Sequence, residues 1–180
     1  MRKRAGHSPR TVRKGRDAIV TTFNALVLNG RYAELGVREL ARKAGVARST
    51  FYEHFDDKTA LLIESMYPLL SVLAECAAGE YAQHLAWVLA HMEEQRTNAL
   101  ALFYAQQERN AIEAGLARLI SEKLPRNGIA LPISDAAAVL ARTSIGMIAD
   151  WLARERRATN LDFASILRNA LHALKASICA

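Results

Sequence analysis

Val37-Arg-Glu-Leu-Ala-Arg-Lys-Ala-Gly-Val-Ala-Arg-Ser-Thr-Phe-Tyr52 is the stretch on which the reading of this chain turns. It describes two short helices, Val37 to Ala44 and Arg48 to about Phe55, joined at Gly45. A glycine at that point can take the left-handed conformation that turns one helix sharply into the next. Ala41 is small enough for the two helices to approach closely, and Leu40, Val46 and Phe51 supply a wedge of core between them. At about 100° per residue, Phe51 and Phe55 share the buried side of the second helix, with Arg48 and Tyr52 on its flanks. Ser49, Thr50, Glu53 and His54 turn away from that side. Small, polar and basic groups at a helix start can enter a major groove, where Arg48 can bond guanine through two hydrogen bonds. Glu53 cannot favour phosphate and is read as solvated.

Charge supports this reading. The formal net charge is +6, and it is unevenly placed. Residues 1–58 hold 13 Lys and Arg against 6 Asp and Glu, whereas residues 59–180 hold 11 against 12. Residues 1–16 alone carry seven basic residues and no acid. A basic arm ahead of a basic folded unit suits a polyanion, because each neutralised phosphate releases counterions.

The remaining sequence reads as helix after helix, with no window of strict alternation to suggest a strand. Ile19, Phe23, Leu26 and Val27 mark a first helix from about Thr11 to Asn29, stopped by Gly30. A fourth begins near Lys58, with Leu61, Leu62, Met66, Leu69, Leu70 and Leu73 on one stripe and Pro68 predicting a kink or break. Further stripes run through Leu85–Met92, Leu100–Tyr104 and Ile112–Ile120. After Pro125–Pro132, long helices are expected over 134–157, capped by Ser134 or Asp135, and over 160–178, capped by Thr159 or Asn160.

With 51% hydrophobic and 23% charged residues, the chain is neither disordered nor stapled by disulfides. Cys76 and Cys179 lie far apart, outside any metal-ligand spacing, and are expected as reduced thiols. No uninterrupted apolar run reaches the roughly 18–20 residues of a membrane helix, and the first 25 residues carry no apolar core of an export signal. No nucleophile elbow, phosphate loop, HExxH or paired carboxylates appear, so no enzyme, metal or cofactor is expected. His84 and His91, with Glu80 and Glu94 nearby, are read as surface residues.

The wider pattern Gly30-x-x-x-x-Leu-Gly-Val-Arg-Glu-Leu-Ala-x-x-Ala-Gly-Val-x-Arg-Ser-Thr-Phe-Tyr-Glu-His-Phe-x-Asp-Lys-x-x-Leu-Leu62 resembles the DNA-binding domain of the tetracycline-repressor (TetR) family of bacterial regulators. The resemblance is close over residues 11–65; beyond them it rests on helix count and the pair Trp151-Leu152. It implies that Arg48, Ser49, Thr50, Tyr52 and His54 face DNA, with Tyr52, His54 and Lys58 on phosphates. Two departures stand out. Gly36 and Ala47 replace the Ser or Thr that commonly caps the second and third helices, and Ala47 also lacks a phosphate-contacting hydroxyl.

The fold class this implies is all-α. Residues 1–58 are expected as basic arm and helix-turn-helix domain, and residues 59–180 as a helical effector-binding and dimerisation domain. The implied function is a ligand-responsive repressor in the cytoplasm, binding double-stranded operator DNA as a homodimer through its last two helices, without a membrane. Met66, Trp87, Met92, Phe103, Tyr104, Met147 and Trp151 are the candidates to line a pocket for a small, partly apolar effector. That effector is expected to shift the population toward a conformer with wrongly spaced DNA heads, through the helix carrying Pro68. The alternative is a chromosome-organising or division-linked DNA-binding protein with the same head and no effector.

Overall fold

A computed structural model describes residues 9–28, 32–80, 82–126, 128, 130–155 and 158–178, with side chains at 13–27 and from 32 onward. All regular structure among these residues is α-helical. Residues 1–8 of the basic arm, the helix stop expected at Gly30, and Cys179 lie outside the described residues. The chain divides into two compact units, Met1–Ser65 and Met66–Ala180. The division falls inside a helix, seven residues beyond the boundary expected at 58.

In the first unit, α1 (Pro9–Leu28), α2 (Val37–Lys43), α3 (Arg48–Tyr52) and the start of α4 (Lys58–Ala77) enclose a small core. Ile19 and Phe23 of α1, Leu40 of α2, Phe51 of α3 and Leu61 of α4 are all fully buried. Phe23 meets Tyr32 edge to face, with ring centroids 6.0 Å apart. Asp57 starts α4 by accepting the backbone N–H of Ala60 at 2.7 Å.

The second unit continues from α4 through α5 (Leu85–Glu94), α6 (Arg96–Tyr104), α7 (Gln106–Lys123), α8 (Ile133–Ala153) and α9 (Asn160–Ile178). Helix α8 is its axis and packs against α6, α7 and α9. The small residues Ala136, Ala137, Ala141, Ser144 and Ala149 lie buried along α8 and let its neighbours approach closely. The buried Ser144 hydroxyl is satisfied within the helix, donating to the carbonyl of Leu140 at 2.8 Å. Side chains satisfy several helix ends. Arg96 donates from Nε to the carbonyl of Leu152 at 2.6 Å, closing the carboxyl end of α8. Lys175 donates to the carbonyl of Ala78, just past α4, where Gly79 takes φ +78°.

Two sequence expectations change, and the cap of α9 is one of the two residues expected. Helix α4 continues from Lys58 to Ala77 with Pro68 inside it, so of the kink or break expected there the break does not occur; proline deletes one internal bond, and the packing of Leu61, Leu62, Leu70 and Leu73 holds the helix through it. Helix α8 begins at Ile133 with Pro132 at its N-cap, whose carbonyl receives the N–H groups of Asp135 and Ala136, so neither Ser134 nor Asp135 caps it. For α9 the capping group is Thr159: its hydroxyl oxygen accepts from the backbone of Asp162 at 3.2 Å and donates to the Asp162 carboxylate at 2.7 Å. In addition, α4 and α8 are each long and apolar enough, by length and composition alone, to cross a membrane. An apolar helix in a folded core passes that test too, and 56% of the α8 window is buried within the protein.

Candidate nucleic-acid interface

The link between α2 and α3 is built as the sequence requires. Gly45 has φ +68°, in the left-handed region. The N–H of Val46 folds back to the carbonyl of Ala41 at 3.0 Å, and that of Ala44 reaches Leu40 at 2.8 Å. These bonds use up the last carbonyls of α2 and aim the chain into α3 almost at once. Leu40, Ala41 and Phe51 are buried in the wedge between the two helices. Neither Gly36 nor Ala47 makes a side-chain cap, so both helices start on backbone bonds alone. Helix α3 is one and a half turns long; bonds from Glu53 to Ser49 and from Phe55 to Phe51 carry its curl past Tyr52.

Burial sorts the residues around α3 into distinct sides. Phe51 points inward, and Phe55 packs beside it with ring centroids 5.7 Å apart. Arg48, Ser49, Tyr52 and Glu53 are exposed, Tyr52 to 47%. The Arg48 guanidinium lies 5.4 Å from the centroid of the Tyr52 ring and donates to its hydroxyl at 3.3 Å, so arginine and tyrosine form one outward-facing unit. The candidate contacts Arg48, Ser49 and Tyr52 are therefore brought together on one open surface.

Thr50, His54 and Lys58 are placed differently. Thr50 and His54 are half-buried on the side of α3 that meets α1. A β-carbon built on Gly15 would lie 3.1 Å from Thr50 Cγ2 and 3.9 Å from His54 Nε2, so α1 passes directly over both side chains. The His54 Nε2 atom is buried and has no hydrogen-bond partner among the described residues. Both turn away from Phe51 and Phe55 as the helical wheel has them, and α1 covers them in part. Lys58 is half-buried and donates from Nζ to the carbonyl of Tyr32 at 2.9 Å, with the same ammonium 4.1 Å from the centroid of the Tyr32 ring. In this position it ties the start of α4 to the loop before α2.

The seven pocket candidates are scattered over the second unit. Met92, Phe103 and Trp151 are buried in the core, while Met66 and Met147 are half-buried. Trp87 and Tyr104 stand in solvent at 61% and 65% exposure, Trp87 stacked on His91 at 5.8 Å. They line no interior space: Val88 and Leu89 hold the inner face of α5, and Phe103 that of α6. One cavity, of about 230 Å³, lies where α8 ends and α9 begins. Met147 and Trp151 line it together with Asp150, Arg154, Ala158, Phe163 and Ile166. Its wall is rigid. The Trp151 indole N–H donates to the carbonyl of Ala158 at 2.8 Å, and its ring stacks on Phe163 with centroids 4.7 Å apart and planes 3° from parallel. Phe163 and Ile166 were not among the candidates, since only the fold brings the start of α9 back over Trp151.

Two short helices about a left-handed glycine, with an exposed arginine–tyrosine unit on the second, define a helix-turn-helix domain. Residues 30–64 match the model of the family described as bacterial regulatory proteins, tetR family. The chain is 40% identical over 53 residues to the HTH-type transcriptional regulator EthR of Mycolicibacterium smegmatis, covering 29% of this chain and 24% of that protein. It is 42% identical over 52 residues to an uncharacterised HTH-type transcriptional regulator of Haemophilus influenzae, covering 28% and 25%. The matched segment thus spans about a quarter of the length of these relatives. A solved TetR transcriptional regulator from Streptococcus agalactiae superposes with a TM-score of 0.55 at 22% identity, over 90% of this chain and 96% of that one. At that identity the likeness supports the fold: an amino-terminal helix-turn-helix followed by a helical carboxy-terminal unit.

Proposed function

We propose that the protein is a cytoplasmic, non-enzymatic transcription regulator that binds operator DNA as a homodimer and releases it when a small effector binds. The observation that carries this reading is the exposed surface of Arg48, Ser49 and Tyr52 on α3, in a segment matching a family of bacterial regulatory proteins. Arg48 and Ser49 read base edges, and the Tyr52 hydroxyl reaches a phosphate. Thr50, His54 and Lys58 support the reading helix from behind. Dimerisation supplies what one short helix lacks, since two half-sites double the number of bases read. Helices α8 and α9 are the pairing face: Leu161 of α9 is 67% exposed, and Val139 and Thr143 lie half-buried along α8, clear of the cavity lining.

The effector is small and partly apolar. The cavity beside Trp151 suits one ring-sized molecule, with Asp150 and Arg154 contributing charge to an otherwise apolar lining. The DNA reading is tested with Arg48→Ala. Loss of a bidentate base contact costs about 1–3 kcal/mol and relaxes discrimination at one base pair. Unchanged affinity and unchanged sequence preference would overturn the assignment of α3.

A further inference from the structure

The reading helix is poorly endowed for holding a polyanion. Residues 48–58 offer Arg48 and Lys58 against Glu53, Asp56 and Asp57, and Lys58 is engaged with the carbonyl and ring of Tyr32. Yet phosphate contacts supply most of the affinity in duplex binding. The missing positive charge has to come from a neighbouring element.

Two helices flank α3: α2, with exposed Arg38, Arg42 and Lys43, and α1. Around α3, Phe51 faces the core, Ser49 and Glu53 point outward, and Arg48 with Tyr52 forms one flank. The other flank, Thr50 and His54, is covered by α1 at Gly15, where the missing side chain permits the close approach. The first turns of α1 therefore run beside the outward surface of α3. Arg16 is occupied: it pairs with Glu64 and lies 5.8 Å from the centroid of the Phe55 ring. Arg13 and Lys14, one turn closer to the helix start, are exposed, and among the described residues neither forms an ion pair. They belong to the acid-free run of residues 1–16.

We infer that Arg13 and Lys14 form a phosphate-binding ridge along α1, gripping the DNA backbone next to the base pairs that α3 reads. The inference rests on the DNA-binding reading above and adds a second contact region to it. The ridge carries affinity without sequence information, leaving discrimination to Arg48 and Ser49.

The test is the salt dependence of binding to a mixed-sequence DNA duplex. Each lost phosphate contact flattens the plot of log affinity against log salt by about 0.9, so Arg13→Gln with Lys14→Gln flattens it by about 1.8. The charge-conserving pair Arg13→Lys with Lys14→Arg keeps the wild-type slope. Arg118→Gln, a neutralisation on the exposed surface of α7, also keeps it, which separates a local ridge from net charge. An unchanged slope in the Gln pair overturns the ridge, and so does an equal change in Arg118→Gln. Wild-type protein without salt-sensitive duplex binding overturns the DNA reading and the ridge with it.

Discussion

Gly36 and Gly45 bracket α2, and both have open space where a side chain would grow, with no atom within 4 Å of an added β-carbon. Substitution at either site therefore tests backbone conformation free of clashes, and the two sites have opposite expected signs. Gly45 sits at φ +68°, where an L-residue pays roughly 1–2 kcal/mol. Alanine recovers about 0.4–1 kcal/mol of that by restricting the unfolded chain, leaving Gly45→Ala destabilised by about 1 kcal/mol. Gly36 sits at φ −90° and ψ 152°, an ordinary extended conformation, as the N-cap of α2. Serine there gains the same unfolded-chain term, and a hydroxyl able to meet the first turn adds a few tenths of a kcal/mol. Glu39, three residues on, completes the pattern of a capping box. Gly36→Ser is thus expected to stabilise by about 0.5–1 kcal/mol. In thermal unfolding followed by circular dichroism, 1 kcal/mol moves the midpoint by about 4–8 °C for a unit of 60–100 residues. The expected result is a lower midpoint for Gly45→Ala and a higher one for Gly36→Ser. Equal shifts in the same direction would refute the backbone argument, because the two sites differ in little besides φ.

Other perturbations address the core and the second unit. Phe51→Ala removes a fully buried ring from the α2–α3 wedge and is expected to cost about 3–5 kcal/mol, abolishing duplex binding while the second unit stays helical by circular dichroism. Trp151→Phe keeps an aromatic ring against Phe163 but orphans the Ala158 carbonyl; the expected loss of about 1–3 kcal/mol is read by urea unfolding, and a wild-type midpoint would contradict the role given to that bond. Burial pushes the Cys76 thiol up to about 11, with Arg168 opposing. In a Cys179→Ser background, native protein should resist a thiol reagent at pH 8 and react once unfolded. Because the folded state favours the neutral thiol, the stability tied to Cys76 is full below its ordinary value of 9.0 and declines as pH rises from there toward about 11. Fast native labelling at pH 8 would contradict this burial.

The helix-turn-helix was legible because its constraints are local. Gly45, Ala41 and the Leu40–Phe51 wedge follow from a few adjacent residues and a 100° helical step. The partial cover of Thr50 and His54 was not, because it depends on α1, more than thirty residues away, crossing at Gly15. Gly15 falls inside the expected first helix, but its basic neighbours give no sign that it is a helix–helix contact. A similar limit applies in the second unit. Aromatic and methionine residues at helical spacing identified apolar faces, but not which were covered: Phe103 is buried while the adjacent Tyr104 is 65% exposed. Pro68 shows the converse, a strong local breaker overridden by apolar packing on both sides of it.

The central claim, that α3 reads operator DNA as one half of a symmetric dimer, is tested most directly by selecting bound sequences from a random duplex pool with wild-type protein and Arg48→Ala in parallel. The account predicts an inverted repeat for the wild type, its half-sites about one helical turn or a multiple apart. It further predicts loss of preference at one base pair in each half-site for Arg48→Ala. A pool that shows no enriched sequence with wild-type protein, or an identical repeat recovered with the variant, would contradict it.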